Sequence, residues 1–320
     1  MAGHFIYPGL LHYIILCVFY YKSKNMILET NNLSKRYGPV IATEGLSLEV
    51  EKGMAFGILG PNGSGKTTTL GIVLSVIHAD SGSFKWFGQD PGKMIYRRIG
   101  SLLEVPNFFP YLSLQRNLEI MAHIREVDLA DIDRVLDETG LLKRKKSKFN
   151  TLSLGMKQRL AIASTLLGNP EVLVLDEPAN GLDPEGIAEV RNIIIEQKES
   201  GKTIIMASHI LDEVEKVCSH VAVLKNGKNI AAGKVDELLA SEPVVVVVSE
   251  DQSKLKTAVE ESGMAASVTV EGEYLKIVLK AGLDSKSVSK LAFEKGIMLS
   301  EIKVHKSSLE EQFLELVKNV

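Results

Sequence analysis

The feature that most constrains this chain is a glycine-rich segment that reads Gly60-Pro61-Asn62-Gly63-Ser64-Gly65-Lys66-Thr67. An apolar run, residues 55–59, precedes it and a helix-compatible run beginning at Thr68 follows it, so the sequence predicts strand, turn and helix. Glycines let backbone N–H groups curve round a phosphate, and a helix N-terminus adds unpaired N–H groups and a positive dipole end. In this pattern Lys66 reaches the outer phosphates and the Thr67 hydroxyl can ligate Mg²⁺. An ordinary glycine-rich turn is the alternative, but the strand–loop–helix context favours a site for a nucleoside triphosphate.

The composition indicates a globular protein with two domains. The chain has 320 residues, 45% of them apolar, which is enough to bury a sizeable core. Its 37 basic and 40 acidic residues give a formal net charge of −3, so no surface for a polyanion such as nucleic acid is indicated. The only cysteines, Cys17 and Cys218, exclude a disulfide framework and are compatible with a reducing compartment.

The first residues, 1–25, differ from the rest of the chain. Residues 5–21 are apolar but short for a membrane span, and Pro8 and His12 interrupt them. Neither a preceding basic residue nor a following small-residue cleavage site marks a secretory signal. Met26 offers a second methionine at which the chain can start. We therefore interpret residues 1–25 as a non-native or mis-assigned extension, with a weak membrane anchor as the alternative.

The first half of the chain alternates between strand and helix patterns. Residues 27–53 alternate apolar and polar positions with a turn at residues 37–39, as in antiparallel strands. Residues 82–88 predict another strand, in which Trp86 serves packing rather than chemistry. Residues 115–142 have a helical pattern.

Two apolar strands of the second half end in residues that carry chemistry. Residues 172–175 lead into Asp176 and Glu177, and a second apolar run leads into His209. Continuous apolar strands that alternate with helices predict a parallel sheet covered on both faces. Ligands of such sheets lie at the carboxyl ends of the strands. All three residues fall there, as does Lys66.

The composition changes near residues 241–243, and a second domain is expected to follow. The pattern predicts strand, helix, strand, strand, helix, strand and a last helix, at residues 244–249, 252–262, 266–271, 274–279, 284–295, 298–303 and 308–318. The β-α-β-β-α-β order predicts a small ferredoxin-like domain. Because it carries no recognisable catalytic constellation, its expected role is interaction or regulation. The predicted domains are therefore residues 26–240 and residues 243–320.

Five motifs follow one another along residues 26–240. They are the phosphate loop, Leu152-Ser153-Leu154-Gly155-Met156-Lys157-Gln158, Leu175-Asp176-Glu177-Pro178, Gly181-Leu182-Asp183 and Ser208-His209. In this order they resemble the nucleotide-binding subunit of an ABC transporter, and the combination is far more specific than any single motif. Residues 153–159 and the C-terminal domain also resemble the ATPases of bacitracin-resistance exporters. The resemblance implies an α/β P-loop NTPase fold of the ABC type, with a parallel core sheet, an antiparallel β subdomain and a helical subdomain.

The residues at the strand ends have expected catalytic roles. Asp176 ends a buried strand, where a carboxylate can hold Mg²⁺ directly or through water, facing Thr67. Glu177 can point at the γ-phosphate and polarise the attacking water as general base. A solvated acidic pair is the alternative, which the preceding apolar residues disfavour. By resemblance alone, His209 contacts the γ-phosphate and helps to orient the water, and Lys66 completes the catalytic set.

Further residues are assigned to nucleotide binding. Ser153 and Gly155 open a predicted helix whose N–H groups, with the Ser153 hydroxyl, can hold an anion; a plain helix cap is the alternative. The resemblance implies that this cradle, with Gln158, engages the ATP held by the opposite subunit. Two chains then close head to tail over two ATP molecules, with Asp183 at the dimer seam. Tyr37 either stacks on adenine, as the resemblance implies, or is an unspecific turn tyrosine.

Glu104 departs from the family pattern, because most relatives have there a glutamine that touches Mg²⁺ and the water and senses the membrane partner. A carboxylate is a charged oxygen ligand that cannot donate a hydrogen bond as an amide does. Our hypothesis is that Glu104 is the functional replacement and ligates Mg²⁺. Glu104→Gln is then expected to keep ATP hydrolysis within about an order of magnitude and to change its Mg²⁺ dependence. Residues 106–118, with Phe108, Phe109 and Tyr111, are expected to form the surface that meets the membrane subunit, and an aromatic core cluster is the alternative.

The resemblance predicts the ATP-hydrolysing subunit of an exporter, located peripherally at the cytoplasmic face of the membrane. It is expected to bind ATP and Mg²⁺, to pair with a second copy or a related ATPase subunit, and to energise separate membrane-spanning permease subunits. A soluble ABC-type ATPase acting on nucleic acid or ribosomes is the alternative. Against it stand the single motif set, the lack of a long coiled-coil insertion and the lack of basic excess. A non-catalytic nucleotide sensor is a third interpretation, which the intact Glu177 and His209 disfavour.

Overall fold

The computed structural model describes residues 25–103, 108–238, 244–280 and 282–305. Contacts between Cα atoms divide the chain into two compact units, with the division between Lys234 and Val235. The expected boundary at residues 241–243 lies outside the described residues, as do residues 1–24 of the expected extension. The domain limits read from the sequence therefore stay predictions.

The first unit combines strands and helices in alternation. Its described strands are β1 (Met26–Tyr37), β2 (Val40–Glu51), β3 (Ala55–Leu59), β4 (Ser81–Trp86), β5 (Ile99–Leu102), β6 (Val172–Asp176), β7 (Thr203–Ser208), β8 (His220–Lys225) and β9 (Lys228–Lys234). Its described helices are α1 (Lys66–Val73), α2 (Lys93–Tyr96), α3 (Leu114–Arg125), α4 (Asp131–Glu138), α5 (Leu154–Leu166), α6 (Pro184–Glu199) and α7 (Leu211–Val217), with 3₁₀ turns at Leu142–Arg144 and Phe149–Thr151.

The central sheet of this unit has the strand order β5-β6-β7-β3-β8-β9. Neighbouring strands are parallel except for β9, which is antiparallel to β8. Every residue of β3, β6 and β7 is buried. Helix α1 packs against β6 and β7, α5 against β5, and α7 against β3. The predicted parallel sheet of continuous apolar strands is confirmed.

A second, antiparallel sheet with the order β2-β1-β4 shares its core with the central sheet. The shared core contains Ile27, Leu28, Leu46, Leu48, Phe56, Ile58, Leu70 and Ile72. Trp86 lies in it with no exposed area and donates its indole N–H to the Val73 carbonyl oxygen at 2.7 Å. The tryptophan therefore serves packing, as predicted.

The helical pattern over residues 115–142 forms two helices, α3 and α4, instead of one. Helix α3 ends because Glu126 adopts the left-handed conformation, with φ of 57°. The Asp128 side chain then accepts a hydrogen bond from the Ala130 N–H at 2.9 Å, just before α4 begins. The helical pattern is interrupted here, because a short acidic side chain offers the backbone a turn in place of the next helical hydrogen bond.

The second unit is built round a small antiparallel sheet. Its described elements are α8 (Val235–Leu238), β10 (Val244–Ser249), α9 (Gln252–Ser262), β11 (Ala265–Glu271), β12 (Tyr274–Leu279), α10 (Ser285–Glu294) and β13 (Leu299–His305). The strand order is β11-β12-β10-β13, and all neighbours are antiparallel. From β10 onward the element order is the predicted β-α-β-β-α-β. The expected last helix, residues 308–318, lies outside the described residues.

No helix among the described residues combines the length and the apolar character that a membrane span requires.

Candidate nucleotide-binding site

The glycine-rich loop connects the end of β3 to the start of α1. Gly65 has φ of 105°, and a Cβ at this position would lie 2.1 Å from the Ala42 carbonyl oxygen, so only glycine fits. Helix α1 begins directly afterwards, at Lys66, and the unpaired N–H groups of its first turn lie at the end of the loop. The side-chain oxygen of Ser64 is buried and has no hydrogen-bond partner among the described residues. A tight loop at a helix N-terminus with an unsatisfied buried hydroxyl fits a phosphate group.

Lys66 is a buried cation in this loop. Lys66 is 5% exposed, and its Nζ donates hydrogen bonds to the carbonyl oxygens of Gly60 at 2.8 Å and Pro61 at 3.3 Å. The same Nζ lies 3.3 Å from Oε1 of Glu177. A buried ammonium group is costly unless it is paired and hydrogen-bonded, and these three oxygens satisfy it. The loop therefore holds the positive charge that outer phosphate groups require.

Strands β6 and β7 bring the other predicted catalytic residues to the loop. Asp176, the last residue of β6, is buried and lies beside Ala207 of β7. Glu177 follows with φ of 47°, an uncommon conformation for this residue type, and donates its N–H to the Ala207 carbonyl oxygen at 2.9 Å. Its Oε2 lies 2.7 Å from Nδ1 of His209 and accepts the His209 backbone N–H at 3.3 Å. Lys66, Glu177 and His209 thus form one connected cluster.

An open groove of about 330 Å³ lies over the loop. It is lined by Tyr37, Val40, Ala42, Asn62, Gly63, Gly65, Lys66, Thr67, Thr68 and Glu177. The residue expected to contact adenine, the phosphate loop and the expected general base therefore share one concave surface. This surface lies at the carboxyl ends of parallel strands, where ligands of α/β sheets bind.

Ser153, Gly155 and Asp183 line a different groove, of about 460 Å³, which shares no lining residue with the first. Ser153 caps α5, since its Oγ accepts the Met156 N–H at 3.3 Å, and its own hydroxyl proton stays available to a ligand. Asp183 caps α6 by accepting the Gly186 N–H at 2.9 Å. The residues of the second predicted anion cradle therefore lie in one groove, but this groove is separate from that of the phosphate loop.

Known proteins are similar to this chain in sequence and in fold. The ABC transporter family model matches residues 43–180. The bacitracin transport ATP-binding protein BcrA of Bacillus licheniformis is 38% identical over 91% of this chain and 97% of its own length. The lantibiotic transport ATP-binding protein SrtF of Streptococcus pyogenes is 37% identical over 66% of this chain and 92% of its own. A crystal structure of an ATP-binding cassette of an ABC transporter in its ADP conformation matches with a TM-score of 0.61 and 26% identity, covering 67% of this chain and 95% of that one.

This chain belongs to the ABC transporter ATP-binding family. It is an ATPase subunit of the transporter class, and its first unit has the ATP-binding cassette fold that the sequence predicts. The groove over the phosphate loop is the candidate ATP site of this cassette, and we call it the ATP groove.

Val40 is a residue of the cassette's ATP groove that the sequence analysis missed. It is 60% exposed and pairs with Tyr37, itself 48% exposed, across the two-residue turn between β1 and β2. Cross-strand partners share a face of the hairpin, so the spacing of these two residues was the available signal. Together they offer an aromatic ring and an apolar side chain to a flat base.

Arg159 is a second missed residue, in the groove of the predicted anion cradle. Its Nε lies 3.4 Å from Oε2 of Glu189, and both residues line the groove. Gln158, which the sequence analysis assigned to nucleotide binding, is not among the lining residues, and its role stays a prediction. Neighbouring residues of a helix point about 100° apart, so Gln158 and Arg159 face different directions. Gly155 and Arg159 are four residues apart and share a face of α5.

Glu104, the expected Mg²⁺ ligand, lies outside the described residues. The described residues of the expected Mg²⁺ site are Thr67, exposed on the first turn of α1, and Asp176, buried at the end of β6. Hydroxyl and carboxylate oxygens are the hard ligands that Mg²⁺ prefers, so these two residues fit the ion.

The aromatic segment expected to meet the membrane subunit is only partly a surface. Phe109 and Tyr111 are 45% and 66% exposed, with ring centroids 6.0 Å apart. Phe108 is buried and packs against Phe149, with ring centroids 5.2 Å apart, so its placement on the surface is wrong. The buried Asn117 side chain accepts the Phe109 N–H at 2.8 Å and holds the segment in place.

Proposed function

We propose that this cassette hydrolyses ATP in the groove over residues 60–68 and thereby drives export through separate membrane-spanning permease subunits. The observation that carries the proposal is the connected cluster of Lys66, Glu177 and His209 at the phosphate loop. BcrA and SrtF, the similar proteins, are ATP-binding proteins of bacitracin transport and of lantibiotic transport. Export is inferred for this chain from that kinship.

In the proposed reaction Lys66 binds the outer phosphates, and the loop's N–H groups hold them in line. Glu177 accepts a proton from a water molecule while the water oxygen bonds to the γ-phosphorus. The bond from that phosphorus to the β,γ-bridging oxygen breaks, and ADP and phosphate leave. His209 binds Glu177 through Nδ1 and its backbone N–H, which fixes the direction of the carboxylate.

Mg²⁺ is the proposed metal, held by Thr67 and Asp176 with Glu104 as a further ligand. When bound, the ion neutralises developing charge on the β- and γ-phosphate oxygens. The burial of Asp176 supports this role, because a carboxylate at the end of a buried strand is stabilised by a nearby cation.

We also propose that two cassettes pair head to tail, as a homodimer or with a related ATPase subunit. The ATP groove and the groove of Ser153, Gly155 and Asp183 share no lining residue, so one chain offers two separate half-sites. Pairing two chains lets the anion cradle of one close over the nucleotide of the other. We further propose that the exposed Phe109 and Tyr111 form a surface for the permease, and that the cassette is located at the cytoplasmic face of the membrane.

A mixing experiment tests the site and the pairing together. Lys66→Ala removes the phosphate-binding cation, and Gly155→Glu puts a negative charge into the anion cradle. A Cβ at Gly155 is tolerated, since its nearest neighbour is the Gly186 Cα at 3.9 Å. Each variant alone is expected to be inactive. A mixed dimer retains one intact site, so an equal mixture should recover up to roughly a quarter of wild-type ATPase activity.

An inactive mixture in which both chains are folded and the Gly155→Glu chain still binds ATP would contradict the shared sites. High activity of the Gly155→Glu chain alone would remove the cradle from the mechanism. Co-purification of the wild-type cassette with a multi-span membrane protein tests the permease separately, because mixing of the soluble variants does not depend on it.

A further inference from the structure

The second unit exposes an apolar surface that its described residues leave uncovered. Phe293 is 85% exposed, Met298 70% and Ile302 37%, and all three line an open groove of about 540 Å³ between α10 and β13. Val304, two residues further along β13, is 52% exposed. Proteins rarely leave a phenylalanine and neighbouring apolar side chains this exposed on one face unless something binds there.

The groove continues the core of the unit towards an open edge. Among the described strands, β13 is at the edge of the sheet and pairs only with β10. Ile302 lies opposite Val247 and Val304 lies opposite Val245. Directly opposed residues share a face, and both valines are fully buried in the core that α9 and α10 cover. Ile302 and Val304 therefore lie on the core side of the sheet, without a layer over them in the described residues.

We propose that this groove is the docking site of the chain's own last segment, residues 306–320, folded as a helix back along β13. Within the segment, Ser308-Leu309-Glu310-Glu311 has the pattern of a capping box. Leu309, Phe313, Leu316 and Val320 follow at the spacing of one apolar helix face. The segment thus supplies the apolar face that the groove lacks.

The reach of the segment fits the groove. It starts directly after β13, whose seven residues span about 20 Å. A helix over residues 308–318 is about 16 Å long, and residues 306–307 remain for the reversal of direction. A helix that runs antiparallel to β13 therefore covers Val304 and Ile302 first and then Met298 and Phe293.

Charge favours this occupant over a second copy of the same face. Helix α10 and the residue after it carry Lys286, Lys290 and Lys295 against one carboxylate, Glu294, which lies 3.9 Å from Lys290. The last segment carries Glu310, Glu311 and Glu315 against Lys306 and Lys318. Opposite net charges meet when the segment docks, whereas two copies of the groove would place lysines against lysines.

The test is thiol labelling of Met298→Cys in full-length protein with Cys17→Ser. Cys218 does not interfere at neutral pH, because burial raises its thiol pKa to about 12. We compare the intact segment with the same protein carrying Phe313→Glu, which places a charge on the apolar face. Maleimide labelling is expected to be at least about tenfold faster in the Phe313→Glu protein. Glu315→Gln, on the polar face, is the matched control and is expected to label at the rate of the intact segment.

Equal labelling rates in all three proteins would overturn the proposal. If the introduced thiol stays protected from maleimide in the Phe313→Glu protein and loses this protection on dilution, the groove would be assigned to a second copy instead. Protection that arises only when membranes containing the permease are added would assign it to that partner. Leu316→Glu repeats the test should Phe313→Glu not yield folded protein. Slow labelling of a cysteine placed at Val259, which is fully buried in the second unit, reports that this unit is folded.

Discussion

The Nζ of Lys66 and the Oε1 of Glu177 lie 3.3 Å apart. The lysine belongs to the loop after β3 and the glutamate follows β6, so a single ion pair joins two strand ends of the central sheet. The side chains are 5% and 19% exposed, and charge interactions between such poorly hydrated groups are stronger than at the surface. The other oxygen of the same carboxylate binds His209, which follows β7. The cassette therefore holds its expected base between a phosphate-binding cation and an imidazole.

Glu177→Gln tests the proposed base. The amide keeps the size of the side chain but cannot accept a proton from water, so turnover is expected to fall about 10²- to 10⁴-fold. ATP binding is expected to remain, because the loop is unchanged and Lys66 loses an anionic neighbour. Phosphate release with Mg²⁺ and equilibrium binding of ATP measure the two effects. Glu199→Gln, exposed at the end of α6, is the control. Near-normal turnover of Glu177→Gln would remove Glu177 as the base.

His209→Ala tests whether the imidazole positions that carboxylate. Without the 2.7 Å contact to Nδ1 the Glu177 side chain keeps its contacts with Lys66 Nζ and the backbone N–H of residue 209 but loses the shortest of its three contacts. A misplacement of about 1 Å can cost 10²-fold in rate. We expect kcat to fall by about that factor with little change in ATP affinity. His209→Gln, which can still donate to Glu177, should recover part of the loss. His123→Ala, exposed on α3, is the control, and equal loss in both alanine variants would speak against a positioning role.

Local pattern was sufficient to predict many elements of this chain from its sequence. Residues 244–249, 252–262 and 274–279 have the same bounds in the prediction and in the structure. The two strands are short runs rich in β-branched and apolar residues, and the helix has the spacing of one apolar face. The strand ends were equally predictable, since the carboxyl ends of parallel strands meet at one edge. That rule alone places Lys66, Glu177 and His209 together.

The features that the sequence did not reveal depend on distant contacts. Phe108 is buried because Phe149, remote in sequence, packs against it. Val40 belongs to the ATP groove because the hairpin places it beside Tyr37. The separation of the Ser153 groove from the phosphate loop depends on how α5 and α6 are arranged. None of these follows from periodicity, which reports only the faces of single elements.

Gly65→Ala tests the shape of the phosphate loop. Alanine at φ of 105° is strained, and its Cβ would lie 2.1 Å from the Ala42 carbonyl oxygen, so the loop must move. We expect a loss of about 1–3 kcal/mol in the free energy of unfolding and loss of measurable ATP binding. Gly92→Ala is the matched control, because φ there is −168° and no atom lies within 4 Å of the added Cβ. Retained ATP affinity in Gly65→Ala would contradict the proposed backbone contacts to phosphate.

Tyr37→Ala tests the proposed contact with adenine. The ring is 48% exposed in the ATP groove, and loss of a base–aromatic stack costs about 1–3 kcal/mol, which is about 5- to 150-fold in the dissociation constant for ATP. Tyr37→Phe keeps the π-face and is expected to bind ATP normally. Titration with ATP and with inorganic triphosphate separates the two ends of the site. Equal weakening for both ligands would show that Tyr37 acts on the loop and not on the base.

Cys218 gives the cassette a stability that depends on pH. Burial raises the pKa of its thiol to about 12, and the charge of Lys198 opposes this shift. In the unfolded chain the pKa of the thiol is about 8.5. The contribution of the neutral thiol to the free energy of unfolding is therefore complete below about pH 8.5. It falls as pH rises towards the folded-state pKa, and at pH 10 it is smaller by about 2 kcal/mol. In a Cys17→Ser background, the difference in free energy of unfolding between Cys218 and Cys218→Ala should shrink by this amount between pH 7 and pH 10 in denaturant titrations. A difference independent of pH would mean that the folded protein does not keep this thiol neutral.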